Sequence, residues 1–449
     1  MSELNGRTAR IVDAIRTQLW PVPAIAVLVA LAVGTALPAL DATVDGKLPE
    51  SVSALLFSGG PDAARAVLQA IAGSLITVTS LTFSLTVVTL QLASSQFSPR
   101  VLRTFAADRF VHYTLALFMS AFAFALTVLR SVRSSDGPTP GFVPEISVTV
   151  AFLLSIASIL GLVLFLAHLT REIRAETMMQ KVADETRAAL NRNFPEEQGP
   201  RHNIPAAGPR AIRLESTRTG FLTSVDRAEL LSLAVAEDVV IRVDALPGTS
   251  LVEGVPFATA WPLDSRTELD AETEERLGKR SNAAIYTGSE RTQVQDVAFG
   301  FRQLVDVAAR ALSPGVNDPT TAVHVLGHLS GLLCQVLGRM PGTRCLVDEQ
   351  NVVRVVLGLP DMADFLELSL AQPRLYGVTD PAVAMRMLKL LQEVSWCDSA
   401  GAHRPEILDQ AQRLEACIEA AEHLPHDQAD LLGLARTLVA ANTPLNPDK

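Results

Sequence analysis

The stretch "SERTQVQDVAFGFRQLVDVAARALSPGVNDPTTAVHVLGHLSGLL", Ser289 to Leu333, gathers residue types that readily do chemistry. Arg291 and Arg302 offer planar guanidinium donors suited to phosphate or carboxylate. Gln295, Asp296, Asp306, Ser313, Asn317 and Asp318 surround them with further donors and acceptors. Two readings share these residues. In one, Arg291 and Arg302 bind a small anionic ligand or a lipid headgroup, and Asn317 and Asp318 sense it. In the other, Asp296 and Arg302 bridge neighbouring turns or subunits, while Asn317 and Asp318 cap helices. His324 and His328 have the i, i+4 spacing of a metal-binding pair, but no acidic or thiolate ligand accompanies them, and no metal is expected. The chain has no P-loop, no dinucleotide glycine motif, no G-x-S-x-G and no paired acid and base. No catalytic residue is assigned, no cofactor is expected, and an enzyme is not the reading.

A second stretch, "SLITVTSLTFSLTVVTLQLASSQFSPR" from Ser74 to Arg100, carries no charge until its last residue, yet hydroxyl and amide side chains occupy nearly half of it. On a helix, Thr77, Ser80, Ser84, Gln91 and Ser95 share one face, and Thr79, Thr82, Thr86 and Thr89 share another. Hydroxyls can bond back to the carbonyl four residues earlier, and small polar residues suit helix packing. Alternatively, one stripe packs while Thr77, Ser80, Ser84, Gln91 and Ser95 line a water-filled path at an oligomer axis.

The elements that must hold these groups follow from hydropathy. Residues are 48% hydrophobic, and four uncharged stretches, at about 21–40, 67–96, 110–129 and 146–167, reach the ~20 residues that span a bilayer. No Asp, Glu, Lys or Arg lies in their cores, which disfavours proton relays, voltage sensors and most ion-coupled transport. The first stretch reads as an anchor rather than a cleaved signal, because it is span-length and three more follow. Arg7, Arg10 and Arg16, then Arg100, Arg103 and Arg109, then Arg171, Arg174 and Lys181 flank the spans on the side expected to be cytoplasmic. Arg130 and Arg133 oppose that trend and are outweighed. Both termini are thus expected inside. "SPRVLRTFAADRF" suits a short interfacial helix in which Arg100, Arg103 and Arg109 meet lipid headgroups.

Beyond Arg174 the chain carries 26 basic and 38 acidic residues, an acidic balance that argues against a nucleic-acid partner. "TREIRAETMMQKVADETRAALNRNF" continues helically as a stalk, and "PEEQGPRHNIPAAGPR" reads as a linker, giving a segment over 170–208. Short strands in "RAIRLES", "GFLTSVD", "VVIRVDA" and "PFATAWP" predict a small β subdomain over 209–263, with a helix capped by Asp226 inside it. Residues 264–449 read as mainly helical, with Asp-Pro cap pairs at Asp318 and Asp380 and a strand at "NVVRVVLGL". Cys334, Cys345, Cys397 and Cys417 show no C-x-x-C spacing and read as reduced thiols.

Two resemblances attach to these residues. "DALPGTSLVEGVPFATAW" resembles the hairpin of biotinyl/lipoyl-type folds, without a modifiable lysine in the turn, which implies a barrel-like subdomain lacking a swinging cofactor. "SLTFSLTVVTLQLASSQFSPRVL" with "RTQVQDVAFGFRQLVDVAARALSPGVNDPTTA" resembles the bacterial predicted-membrane-protein family catalogued as domain of unknown function 2254, over nearly the whole chain. That resemblance implies an integral protein of the bacterial inner membrane and leaves the activity open. The expectation is therefore an α-helical membrane protein with four transmembrane helices over 1–169 and a cytoplasmic α+β domain made of a barrel-like subdomain and a helical bundle. The expected function is a homo-oligomeric channel or passive transport protein regulated by the cytoplasmic domain, with membrane lipids as partners. The rival is a membrane-anchored ligand sensor or scaffold that conducts nothing.

Overall fold

The computed structural model describes residues 18, 20–44, 56–96, 108–134, 141–172, 174–194, 203–208, 210–264, 267–339 and 342–443. Arg100, Arg103 and most of the proposed interfacial helix lie outside these residues. The chain divides into two compact units, one within Ala9–Thr177 and one formed chiefly by Met178–Lys449.

The first unit is built from α1 (Pro21–Val44), α2 (Pro61–Gln96), α3 (Arg109–Leu129) and α4 (Glu145–Glu172). Helices are what an apolar surrounding demands, since every backbone donor and acceptor is satisfied within the segment. The most enclosed is α3, whose Ala121, Phe124, Ala125 and Val128 pack with Leu68 and Ala64 of α2 and Val148 and Ala151 of α4. Gly34 lets α1 close on α3, because a Cβ there would lie 2.9 Å from Thr127. The outer surface is apolar: Ile25, Leu28, Phe83, Ile159, Leu160, Val163 and Leu164 are all exposed.

Two polar ties join these helices. α1 runs farther than its hydropathy suggested, which brings Asp41 inside the unit. There its carboxylate accepts from Ile146 N at 3.0 Å, Ser147 N at 3.0 Å and Ser147 Oγ at 2.6 Å, capping α4 from another helix. At the opposite end of α4, His168 Nε2 lies 2.6 Å from Asp108 Oδ2, and Asp108 caps α3 through Phe110 N at 2.8 Å.

The second unit begins with α5 (Ala175–Asn193). Expected as a projecting stalk, this helix is instead packed within the unit, burying Met178, Met179, Val182, Thr186 and Leu190. A Cβ on Gly300 would fall 1.9 Å from Thr186 Oγ1, so α5 sits against the helix that holds Gly300. The charge pairs at three- and four-residue spacing occupy only its outer face, which is why they read as a solvated stalk.

Two sheets and two helices follow. β1 (Ile212–Glu215), β3 (Val239–Val243), β5 (Pro256–Pro262), β7 (Thr343–Val347) and β8 (Val353–Gly358) form one sheet in the order β1-β5-β3-β8-β7. β2 (Gly220–Val225), β4 (Ser250–Leu251) and β6 (Ile285–Gly288) form a second, ordered β4-β2-β6. Pairing is antiparallel except for β3 with β8, where Ile241 stands opposite Val355. Alternate residues of the larger sheet serve opposite faces. Ile241, Val243 and Val355 pack on α6 (Arg227–Ala236) and α7 (Ala271–Ala284), while Val240, Trp261 and Val356 form a smaller cluster. The larger sheet has β1 and β7 as free edges and is not a closed barrel. Strands 343–358 also belong to it, so the sheet extends beyond 209–263.

The remaining helices are α8 (Val297–Ala311), α9 (Pro319–Leu337), α10 (Met362–Gly377), α11 (Pro381–Cys397), α12 (Arg404–Ala420) and α13 (Pro425–Asn442). The aromatic ring of Phe301 in α8 meets Phe365 in α10 at 4.8 Å between centroids, with Phe194 on the far side of Phe365 at 6.3 Å. Five described helices are long and apolar enough to cross a membrane: α1 to α4, and α9.

Candidate functional site

The hydroxyl-rich helix α2 separates its two polar stripes cleanly. Thr82, Thr86 and Thr89 are buried and Thr79 is half-buried, whereas Thr77, Ser80, Ser84 and Gln91 are exposed on the unit's surface. Thr79, Thr86 and Thr89 donate to the carbonyls of Leu75, Thr82 and Leu85 at 2.7–2.8 Å, so their polarity is spent on their own helix. Thr82 Oγ1 is buried without a hydrogen-bond partner. On the outer face Thr77 donates to Gly73 O at 3.0 Å. The outer stripe is not purely polar, because the exposed Val88 falls between Ser84 and Gln91 on the same face. The backbone of α2 extends through Ser95, whose side chain is not among those described.

The second candidate, in the Met178–Lys449 unit, comes apart into two sites. Arg291, Gln295 and Asp296 stand at the N-terminal end of α8, and Ser313, Asn317 and Asp318 at its C-terminal end. A helix of 15 residues at 1.5 Å each holds the groups roughly 22 Å apart. No small ligand touches both ends, so the sequence-adjacent cluster is not one spatial site.

At the N-terminal end Arg291 grips Asp296 with two hydrogen bonds, Nε to Oδ2 at 2.8 Å and Nη2 to Oδ1 at 3.0 Å. Asp296 also caps α8 through Phe299 N at 3.0 Å, and the Arg291 guanidinium lies 5.3 Å from the Phe299 ring centre. Gly248, at φ +90, is required here, since a Cβ would come within 2.1 Å of Asp296 Oδ2. Burial pushes the Asp296 carboxyl above the usual range, and Arg291 offsets only part of that rise. Gln295 completes the edge of β2, accepting from Val225 N at 2.9 Å and donating to Val225 O at 3.1 Å. These groups occupy one another, which favours a structural clasp over an open anion site.

Along the middle of α8, Arg302 and Asp306 are half-buried and each has an interaction partner. At the C-terminal end Asn317 adopts φ +50, a left-handed conformation that asparagine tolerates, and turns the chain toward α9. Asp318 caps α9, accepting from Thr321 N at 3.0 Å and Thr321 Oγ1 at 2.6 Å. The Thr321 side-chain hydrogen bond, then the backbone one, holds the Asp318 carboxyl below its ordinary range. Ser313 Oγ donates to Arg310 O at 2.6 Å. The elbow is thus self-capped.

His324 is exposed and His328 half-buried on α9; burial lowers the His328 pKa, with the nearby Asp184 acting in the opposite direction. Among the described residues no three His, Cys, Asp or Glu side chains gather to hold a metal ion. Arg109, the described member of the proposed headgroup trio, is exposed at the first position of α3.

Sequence reading missed a third polar cluster, at the contact of α9 with α11. Arg386 makes two hydrogen bonds to Glu393, at 3.0 and 2.9 Å, and Ser330 donates to the same carboxylate. Burial raises the Glu393 carboxyl, but the Arg386 and Ser330 hydrogen bonds outweigh it and the net shift is downward. The i, i+7 spacing of Arg386 and Glu393 was visible, but the arrival of Ser330 depends on how α9 and α11 pack.

Against known proteins, the family model described as "Predicted membrane protein (DUF2254)" matches residues 16–393. An uncharacterized protein of Mycobacterium bovis, Mb1321c, is 33% identical over 398 residues, covering 88% of this chain and 74% of that protein. An uncharacterized protein of Mycobacterium tuberculosis, Rv1290c, matches with the same identity and coverage. No solved structure matches the chain.

Proposed function

This chain belongs to the DUF2254 family of predicted membrane proteins, and on that premise we propose that it is a four-span, homo-oligomeric channel or passive transporter of the bacterial inner membrane. In this reading α2 borders the oligomer axis, and the Met178–Lys449 unit is cytoplasmic and regulatory. The supporting observation is the division of α2: one hydroxyl stripe is consumed inside the protomer, and the other, Thr77, Ser80, Ser84 and Gln91, faces outward. The Gln91 amide has two donors and a two-lone-pair acceptor, more than its own helix backbone can satisfy. A polar face of this kind is better matched by water or a second copy than by hydrocarbon. The absence of charge along the core of α2 favours passive conduction over ion-coupled transport.

The four spans are α1 to α4. α9 passes the length and hydropathy criteria, yet it carries the Ser330 contact to the Arg386–Glu393 pair, a setting that suits the interior of an aqueous domain. The arginines flanking the spans favour both termini on the cytoplasmic side.

The test is solute and ion flux through liposomes containing the full chain, with Ser84→Trp as the blocking variant and Ser84→Cys probed by a short bifunctional maleimide. The reading expects flux that Ser84→Trp reduces to background, and cross-linked dimers for Ser84→Cys beyond those of the wild-type chain. Flux unaltered by Ser84→Trp would make the stripe a packing surface. Absence of flux together with absence of cross-linking would favour the sensor or scaffold reading. That second reading draws support from the separate compactness of the Met178–Lys449 unit. A fragment made to test it must begin by Ala175, because α5 supplies Asn193, which donates to Val294 O at 3.0 Å, and Asn191, which accepts from Arg339 at 2.6 Å.

A further inference from the structure

The contact between α9 and α11 carries a pair of thiols that neither the conduction reading nor the sensor reading uses. Phe301 of α8 meets Phe365 of α10, and a Cβ on Gly377 at the end of α10 would lie 2.8 Å from Leu312 just past α8, so α8 and α10 run in the same direction. α9 and α11 turn back from them and therefore also run in the same direction, with Ser330 meeting Glu393. Four residues farther on, one turn along each helix, come Cys334 and Cys397. Residues four apart share a helix face, so the register that joins Ser330 to Glu393 also sets Cys334 against Cys397. Cys397, the last residue of α11, is exposed, while Cys334 is half-buried.

We propose that Cys334 and Cys397 form a thiol-oxidation site that closes to a disulfide between α9 and α11 when the protein meets a hydroperoxide. The exposed Cys397 sulfur, as thiolate, attacks the O–O bond, forming a sulfenic acid and releasing hydroxide. The Cys334 sulfur then displaces the sulfenic oxygen, losing its proton, and water leaves as the S–S bond forms. Two thiols give up two electrons and two protons, and one hydrogen peroxide becomes two waters. A dithiol reductant reverses the bond by two exchange steps. Burial, followed by the hydrogen bond to Cys397, pushes the Cys334 thiol up to about 12, so Cys397 is the thiol that meets peroxide first and Cys334 must shed its proton as it resolves the sulfenic acid. Closure brings the two sulfurs to about 2.05 Å. In a reducing compartment a bond of this kind is a transient signal rather than a structural staple.

The test uses the full chain in detergent, treated with hydrogen peroxide, quenched with catalase, alkylated with N-ethylmaleimide and analysed by intact mass and peptide mapping. The free cysteines are Cys334, Cys345, Cys397 and Cys417. Peroxide is expected to remove Cys334 and Cys397 alone from the alkylated set, to yield a Cys334–Cys397 linked peptide, and to be reversed by dithiothreitol. A Cys345→Ser, Cys417→Ser double variant should retain the link, and Cys397→Ser should lose it. Full alkylation of both thiols after peroxide, linkage to Cys345 or Cys417, or oxidation of Cys397 to sulfinic acid without a link would overturn the proposal.

Discussion

Both units bury apolar side chains, and they differ in what they expose. In residues 9–177 large apolar side chains face outward, Ile159 at 62% and Leu160 at 60% exposure, while Asp41, Thr82, Thr86 and Ser147 are buried. In residues 178–449 the apolar side chains build the interior, and exposed ones such as Leu424 and Trp396 are scattered among charged neighbours. In the proposed reading, the difference arises because the two surfaces are matched to different solvents. Against hydrocarbon an exposed Leu costs nothing and a polar group seeks the interior; against water the reverse holds.

Removing the buried polar tie of the first unit should have the largest effect. Asp41→Ala leaves the Ser147 N and Oγ donors buried without their acceptor, at about 1–3 kcal/mol each. The detergent melting temperature of the full chain should fall steeply, with Asp41→Asn recovering part of the loss. An unchanged melting temperature would mean that α4 is capped by something other than Asp41.

A matched pair of surface substitutions addresses the comparison directly. Leu160→Arg, near the middle of α4, is expected to cost about 2.5–3.5 kcal/mol in a translocon insertion assay. Leu424→Arg, equally exposed in the other unit, should shift stability by less than about 0.5 kcal/mol. Equal tolerance at both positions would break the assignment of solvents.

Among the broken contacts, the smallest loss belongs to the elbow between α8 and α9. Asp318→Ala removes a helix cap worth about 1 kcal/mol. Because the folded-state pKa of Asp318 is depressed, its contribution is present above the unfolded value and is lost as pH falls through the folded one. The variant's stability deficit should therefore shrink below about pH 4, the ordinary carboxylate range. Asp296 has the opposite sign: its raised pKa makes its share of stability greatest below the unfolded pKa and lost as pH rises through the folded one. A deficit for Asp318→Ala that grows on acidification would contradict the capping geometry.

Local chemistry was the legible part of this chain. The four apolar runs became α1 to α4, and the aspartate caps at Asp226, Asp318 and Asp380 stand where the sequence put them, because a cap depends on bonds to residues two or three positions away. α7, capped by Asp270, and β6 were not anticipated, since the charged segment between 264 and 289 shows little apolar periodicity. The shared chemistry of a stretch also proved a poor guide to proximity: Arg291 and Asp318 belong to one polar stretch and sit at opposite ends of α8.

By itself the sequence determined that the long apolar segments are helical, which of them are apolar enough to lie in a membrane, and that α2 carries two hydroxyl stripes, for these depend on spacing within one element. Only the tertiary structure decided that Thr82, Thr86 and Thr89 turn inward and Thr77, Ser80 and Ser84 outward, that β8 joins β3 across more than a hundred residues, that α5 packs rather than projects, and that Ser330 of α9 meets Glu393 of α11. Each of those outcomes depends on which partner a face finds, and a face is specified by periodicity while its partner is specified by packing among elements far apart in the chain.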